Sequence, residues 1–185
     1  MSDRIATLRN YQIGIARSWL KRGQATNDPF AKFMFFFAGF NALYFLVRLE
    51  ERAQGNEMED VTRLVRRLGE TACDDILRCT EPESGFFRQT IILNMSRRNV
   101  SRIEGDETQG RELRATFESA TSSVDRLAAL SRILYLVRCN LVHGSKRQAG
   151  DDERIVSNSV RPLELLLERG IEAVQANRAT GGGAP

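Results

Sequence analysis

The chain contains one histidine, His143, and it follows Arg138 by five positions, with Asn140 between them. If the segment is helical, five residues rise about 7.5 Å, so a bent arginine side chain reaches toward the imidazole. Asn140 precedes His143 by three, which makes the two neighbours on a helix surface. Leu141 is then expected to turn toward the core, leaving Arg138, Asn140 and His143 on one rim. Such a trio suits the cutting of RNA. That reaction needs a base for the 2′-hydroxyl proton, an acid for the leaving oxygen and positive charge on the phosphate. Histidine titrates near neutral pH and serves as base or acid. The arginine fork fits a phosphate, and it stays charged at any working pH. Asparagine orients the imidazole or holds the ribose. A structural role is the competing explanation: cationic side chains in the last turn of a helix interact favourably with its dipole.

Metal and cofactor chemistry find no support in the residue types. The three cysteines, Cys73, Cys79 and Cys139, have no metal-ligand spacing, and one histidine offers no cluster. An odd number of cysteines also argues against a disulfide framework, and a reducing cytoplasm is the expected home. Cys139 is expected to serve packing. There is no glycine loop followed by a helix to cradle a phosphate, since Gly181, Gly182 and Gly183 lie in the last six residues. No serine-centred triad is suggested.

Net charge is +3, which permits a polyanionic partner without demanding one. Lysine occurs only at Lys21, Lys32 and Lys146, and every other basic side chain is arginine. Outside the histidine segment Arg97, Arg98 and Arg102 form a basic cluster. Together with Lys146 these are candidate contacts to an RNA backbone, or alternatively a solvated helix face.

The elements that must position these groups read as helices throughout. Leu127, Leu130, Leu134, Val137 and Leu141 step by three and four, giving a helix from about Ser123 that ends near His143 and Gly144. Ile5, Leu8, Tyr11, Ile15 and Trp19 predict one buried face on a first helix ending at Gly23. Asn27-Asp28-Pro29 opens a second, which runs to about Ala53 and is apolar nearly all round. Its most apolar stretch, residues 33–47, is shorter than the roughly 20 residues a bilayer span needs, so a central core helix is expected rather than a membrane segment. Asn41 within it is either polar support reaching the Arg138 rim or a satisfied core amide fixing helix register. A third helix carries Val61, Leu64, Val65, Leu68 and Ala72 and continues through Ile76, with Gly69 as its weak point. Residues 80–85 read as a turn, 86–103 as a less regular helix, and a short helix surrounds Leu113 and Phe117. Val156 to Val174 mark the last helix, in which Pro162 predicts a kink or two abutting helices. The sum is an all-α bundle of about six helices, one domain over residues 1–178, followed by a glycine-rich tail, 179–185, expected to be disordered.

The run Val137-Arg138-Cys139-Asn140-Leu141-Val142-His143-Gly144-Ser145-Lys146 resembles the signature of HEPN-domain proteins, Apea-like members among them. Their motif is an arginine, a polar residue and, a few residues on, a histidine, often followed by glycine and a basic residue. Phe40-Asn41-Ala42-Leu43-Tyr44 after Asp28, and Asp151 or Asp152 opening an apolar helix, also resemble that family. The resemblance covers most of the chain in helix order. It implies an all-α, usually dimeric bundle and a metal-independent ribonuclease in which the motifs of two subunits meet in one cleft. Arg138 would then hold the scissile phosphate, His143 would transfer protons and Asn140 would assist. The chain departs from the family by placing Cys139 directly after the arginine, with the asparagine one position later. The resemblance further suggests a toxin or defence effector with RNA as substrate, a homodimeric partner and a cognate antitoxin or regulatory protein. A non-catalytic HEPN-like module binding RNA, a nucleotide or a protein is the alternative.

Overall fold

The structure, a computed structural model, describes residues 2–92, 108–142 and 151–180. Among these there are seven helices and no strand: α1 (Ser2–Gln24), α2 (Pro29–Glu50), α3 (Glu57–Cys79), α4 (Glu81–Gln89), α5 (Thr108–Ser119), α6 (Ser123–Val142) and α7 (Asp151–Thr180). The all-helical bundle expected from the sequence is therefore present, with one helix more than expected.

α2 is the central helix, packed against α1, α7 and α3. Its start is set by Asp28, whose carboxylate accepts the Phe30 N–H at 2.9 Å, and by Pro29 at the first helical position. Phe33, Phe36, Phe37, Phe40 and Tyr44 are all buried, and edge-on contacts link Phe37 to Phe40 and Phe40 to Tyr44. By composition and length α2 would also pass as a membrane span, but half of its most apolar window is buried among the other helices.

The buried side of α1 differs from the expectation. Ile13, Ala16 and Gly23 face the core, whereas Ile5 and Tyr11 are exposed, Tyr11 at 65%. The reason is steric. A Cβ placed on Gly23 would come within 2.2 Å of the Phe36 ring, and one on Gly39 within 3.1 Å of the Ala16 carbonyl oxygen. Small residues let the α1 and α2 backbones approach closely, and that contact turns the larger apolar residues outward. Trp19 lies at the edge of the seam, stacked on Phe35 at 5.5 Å with the Arg22 guanidinium over its ring.

α3 bends at Gly69, whose φ of 78° lies in the left-handed region that favours glycine. Residues 80–85, expected as a turn, instead open α4: Pro82 sits in its first turn, where its missing N–H costs nothing. α7 is one helix through Pro162 rather than two. In the turn before the proline, Asn158 and Ser159 side chains donate to the Arg154 and Ile155 carbonyls. The less regular helix expected over 86–103 ends at Gln89, and its remainder from residue 93 lies outside the described residues. The tail beyond residue 180 lies outside them too.

Candidate functional site

α6 packs on α3 and α5 and carries its last turns beside α2. Ser122 starts it: its hydroxyl accepts the Asp125 N–H at 3.0 Å and donates to the Asp125 carboxylate at 2.8 Å, a side-chain N-cap. Leu127, Leu130, Leu134 and Val137 are buried, and this stripe fixes the rotation of the helix. Arg138, next on the helix, is thereby brought to the edge of the bundle, its side chain 27% exposed.

The Arg138 guanidinium is cradled by aromatic rings. Its central carbon lies 5.7 Å from the Phe37 ring and 6.0 Å from the Tyr135 ring, which are themselves 6.3 Å apart. Cation–π attraction to two rings holds the planar group without occupying its N–H donors. Among the described residues its carboxylate neighbour is Glu57, at the start of α3, at 3.8 Å, beyond hydrogen-bonding distance. It also makes a weak contact to the Cys139 sulfur at 4.0 Å.

Glu57 is committed elsewhere. It accepts the Tyr135 hydroxyl at 2.8 Å, a hydrogen bond joining α3 to α6. Its own helix start is fixed by Asn56, whose side chain accepts the Glu59 N–H at 3.1 Å. Three residues on, buried Asp60 binds Arg63 at 2.7 Å and Arg48 of α2 at 3.3 Å, which locks α3 onto α2. Burial, the Glu57 hydrogen bond and the nearby Cys139 sulfur raise the Tyr135 pKa far above the ordinary phenol range. Tyr44 behaves alike: burial first, then the charge of Glu57, keep its phenol protonated, only partly offset by Arg138. The Tyr44 hydroxyl is buried and has no hydrogen-bond partner among the described residues. For Arg138, burial works against the charge, but Cys139, Glu57 and Tyr44 outweigh it and the pKa is raised.

The structure therefore collects Phe37, Tyr44, Glu57, Tyr135 and Arg138 from three helices. Asn41 belongs to the same stripe, since Phe37, Asn41 and Tyr44 follow at steps of four and three. It is partly exposed, so of the two placements expected from the sequence, the Arg138 rim or a core amide, it is not fully in the core. Asn140 is placed differently from the expected rim: it is fully buried, while Leu141 is half-buried. Two positions past Arg138 on a helix is about 200°, so the residues cannot share a face. His143, Lys146, Arg97, Arg98 and Arg102 lie outside the described residues. His143 directly follows Val142, the exposed end of α6 as described.

Sequence reasoning missed Glu57 and Tyr135 as partners of Arg138. Tyr135 carried a signal, three residues before Arg138 on the same helix. Glu57 carried none, being 78 residues from the tyrosine it binds. No protein-family model, curated protein or solved structure matches the chain.

Proposed function

We propose that the chain is an endoribonuclease of the HEPN type that cuts RNA without a metal. The observation that carries this is the state of Arg138. Its guanidinium lies near two aromatic rings, is partly open to solvent and, among the described residues, is not hydrogen-bonded to a carboxylate. A positioned, unspent arginine fork at a helix end suits a phosphate. His143 lies five residues further along the chain. In the reaction Arg138 holds the scissile phosphodiester. His143 takes the proton of the 2′-hydroxyl, whose oxygen attacks phosphorus; the bond from phosphorus to the 5′-oxygen breaks, and a protonated histidine gives its proton to that leaving oxygen. With one histidine per chain, a second copy of the chain supplies the second proton carrier. The products are a 2′,3′-cyclic phosphate and a free 5′-hydroxyl.

The exposed apolar side chains fit a homodimer. Ile5 and Tyr11 on α1, with Met34, Phe45 and Leu49 on α2, stand uncovered on the single chain. A cytoplasmic toxin or defence effector, held by a cognate inhibitor, is the biological role that fits such an activity.

A second explanation, a non-catalytic module that binds RNA, a nucleotide or a protein, draws on the burial of Asn140. The polar helper of the motif then serves the core instead of the substrate. End-group analysis of RNA incubated with the protein separates the two. Cyclic phosphate termini are expected from the nuclease, and intact RNA in stable complex from the module.

A further inference from the structure

Away from the Arg138 cluster, α3, α5 and α6 enclose a cavity of about 300 Å³. That is the lower end of the roughly 300–1,000 Å³ range of small-molecule sites. Ala128 and Ala129 of α6 line it, and their small side chains leave the space that larger ones would fill. Arg66 of α3 and Arg132 of α6 line it from two sides, with Thr62, Ser119 and Asp125 also on its wall.

These two arginines differ from the other described arginines beside them. On the same helix Arg63 binds Asp60 and Arg67 binds Glu50. Arg126 donates to the Ala120 carbonyl at 2.8 Å. Neither Arg66 nor Arg132 has an ion pair or hydrogen bond among the described residues. The Arg132 Nε is in addition buried without a partner. A buried N–H with no acceptor is costly, and two like charges in one cavity add to the cost. Asp125, the acid on the wall, has one carboxylate oxygen engaged by Ser122 and forms no ion pair with either arginine. An anion in the cavity would satisfy both guanidinium groups at once.

We propose that this cavity binds a small phosphate monoester that carries hydroxyl groups, of sugar-phosphate size. The two guanidinium forks take the phosphoryl oxygens, with the Ser119 hydroxyl as a further donor. The free oxygen of Asp125 accepts a hydroxyl of the organic part. The site is separate from Arg138: positions 132 and 138 lie about 120° apart around α6. It stands or falls independently of the ribonuclease proposal.

The test is calorimetric titration of the full chain with ribose 5-phosphate and with inorganic phosphate, plus a short single-stranded RNA as competitor. Saturable binding of ribose 5-phosphate, tighter than that of inorganic phosphate, is expected. Arg132→Met and Arg66→Gln should each weaken it by about tenfold or more, and Arg138→Ala should leave it unchanged. Arg66 is exposed, so its variant retains the fold and keeps the test decisive if Arg132→Met fails to fold. Absence of saturable binding overturns the proposal, and so does binding that survives both cavity variants or is lost with Arg138. Displacement of ribose 5-phosphate by the RNA would assign the phosphoryl group to an RNA backbone and overturn the small-ester site.

Discussion

Glu57→Gln isolates what the acid beside Arg138 does. Glu57 stands 3.8 Å from the guanidinium, with side chains 42% and 27% exposed respectively. A charge pair at this distance is worth about 1 kcal/mol in bulk water and about 4 kcal/mol at an effective dielectric of 20. Exposure on both sides and the lack of a hydrogen bond place this pair at the weak end, about 0.5–1 kcal/mol. An incoming phosphate must outcompete Glu57 and tolerate its repulsion. Removing the charge should therefore tighten RNA binding by about two- to fivefold. Glutamine keeps an oxygen for the Tyr135 hydroxyl, so the α3–α6 hydrogen bond persists and the fold should hold. The assay is fluorescence anisotropy with a short single-stranded RNA at fixed low salt, in a His143→Ala background to prevent cleavage. Unchanged or weaker binding in a folded Glu57→Gln protein would refute the reasoning, because the phosphate would not then be meeting Arg138 beside this acid.

Other consequences follow from the packing and the phenols. Tyr44 and Tyr135 have raised pKa values in the folded state, so their stabilising share is complete below the unfolded-chain value of about 10 and lost as pH rises beyond it. Thermal midpoints should fall above about pH 10, and less steeply in Tyr44→Phe. That variant, freed of an unpartnered buried hydroxyl, should be about 1 kcal/mol more stable at neutral pH in a urea titration. Gly23→Ala should cost about 1–2 kcal/mol, the clash with the buried Phe36 ring outweighing the gain in helix propensity; an unchanged or raised melting temperature would contradict the close α1–α2 contact. Phe45→Glu, on an exposed position of α2, should leave a folded monomer in sedimentation velocity where the wild type is expected to sediment as a dimer.

Much of the bundle was legible because apolar periodicity and capping residues act locally. Asp28-Pro29 starts α2 as its residue types require, and Gly69 bends α3 where a glycine alone adopts the backbone angle easily. The buried face of α1 was misread because hydrophobic periodicity weighs large side chains. The contact is made by Ala16, Gly23 and Gly39, which that pattern ignores. Residues 80–85 looked like a turn for their Pro and Gly, yet a proline in a first turn is a helix start, and Thr80 and Ser84 hydroxyls lie 3.3 Å apart within it. At the candidate site the sequence marked Arg138 but not its setting. Phe37, Glu57 and Tyr135 come from three helices, and no local pattern encodes their meeting. Asn140 was placed by its nearness in sequence to His143, whereas the leucine stripe of α6 rotates it into the core.

The central claim is that Arg138 and His143 cut RNA without a metal. Its most direct test is RNA cleavage in excess EDTA by wild type, Arg138→Ala and His143→Ala, compared at matched folding and oligomeric state. Wild type is expected to leave cyclic phosphate ends, and cleavage to fall by at least about a hundredfold in each variant. Cleavage that persists in both variants, or that requires a divalent ion in the wild type, would contradict it.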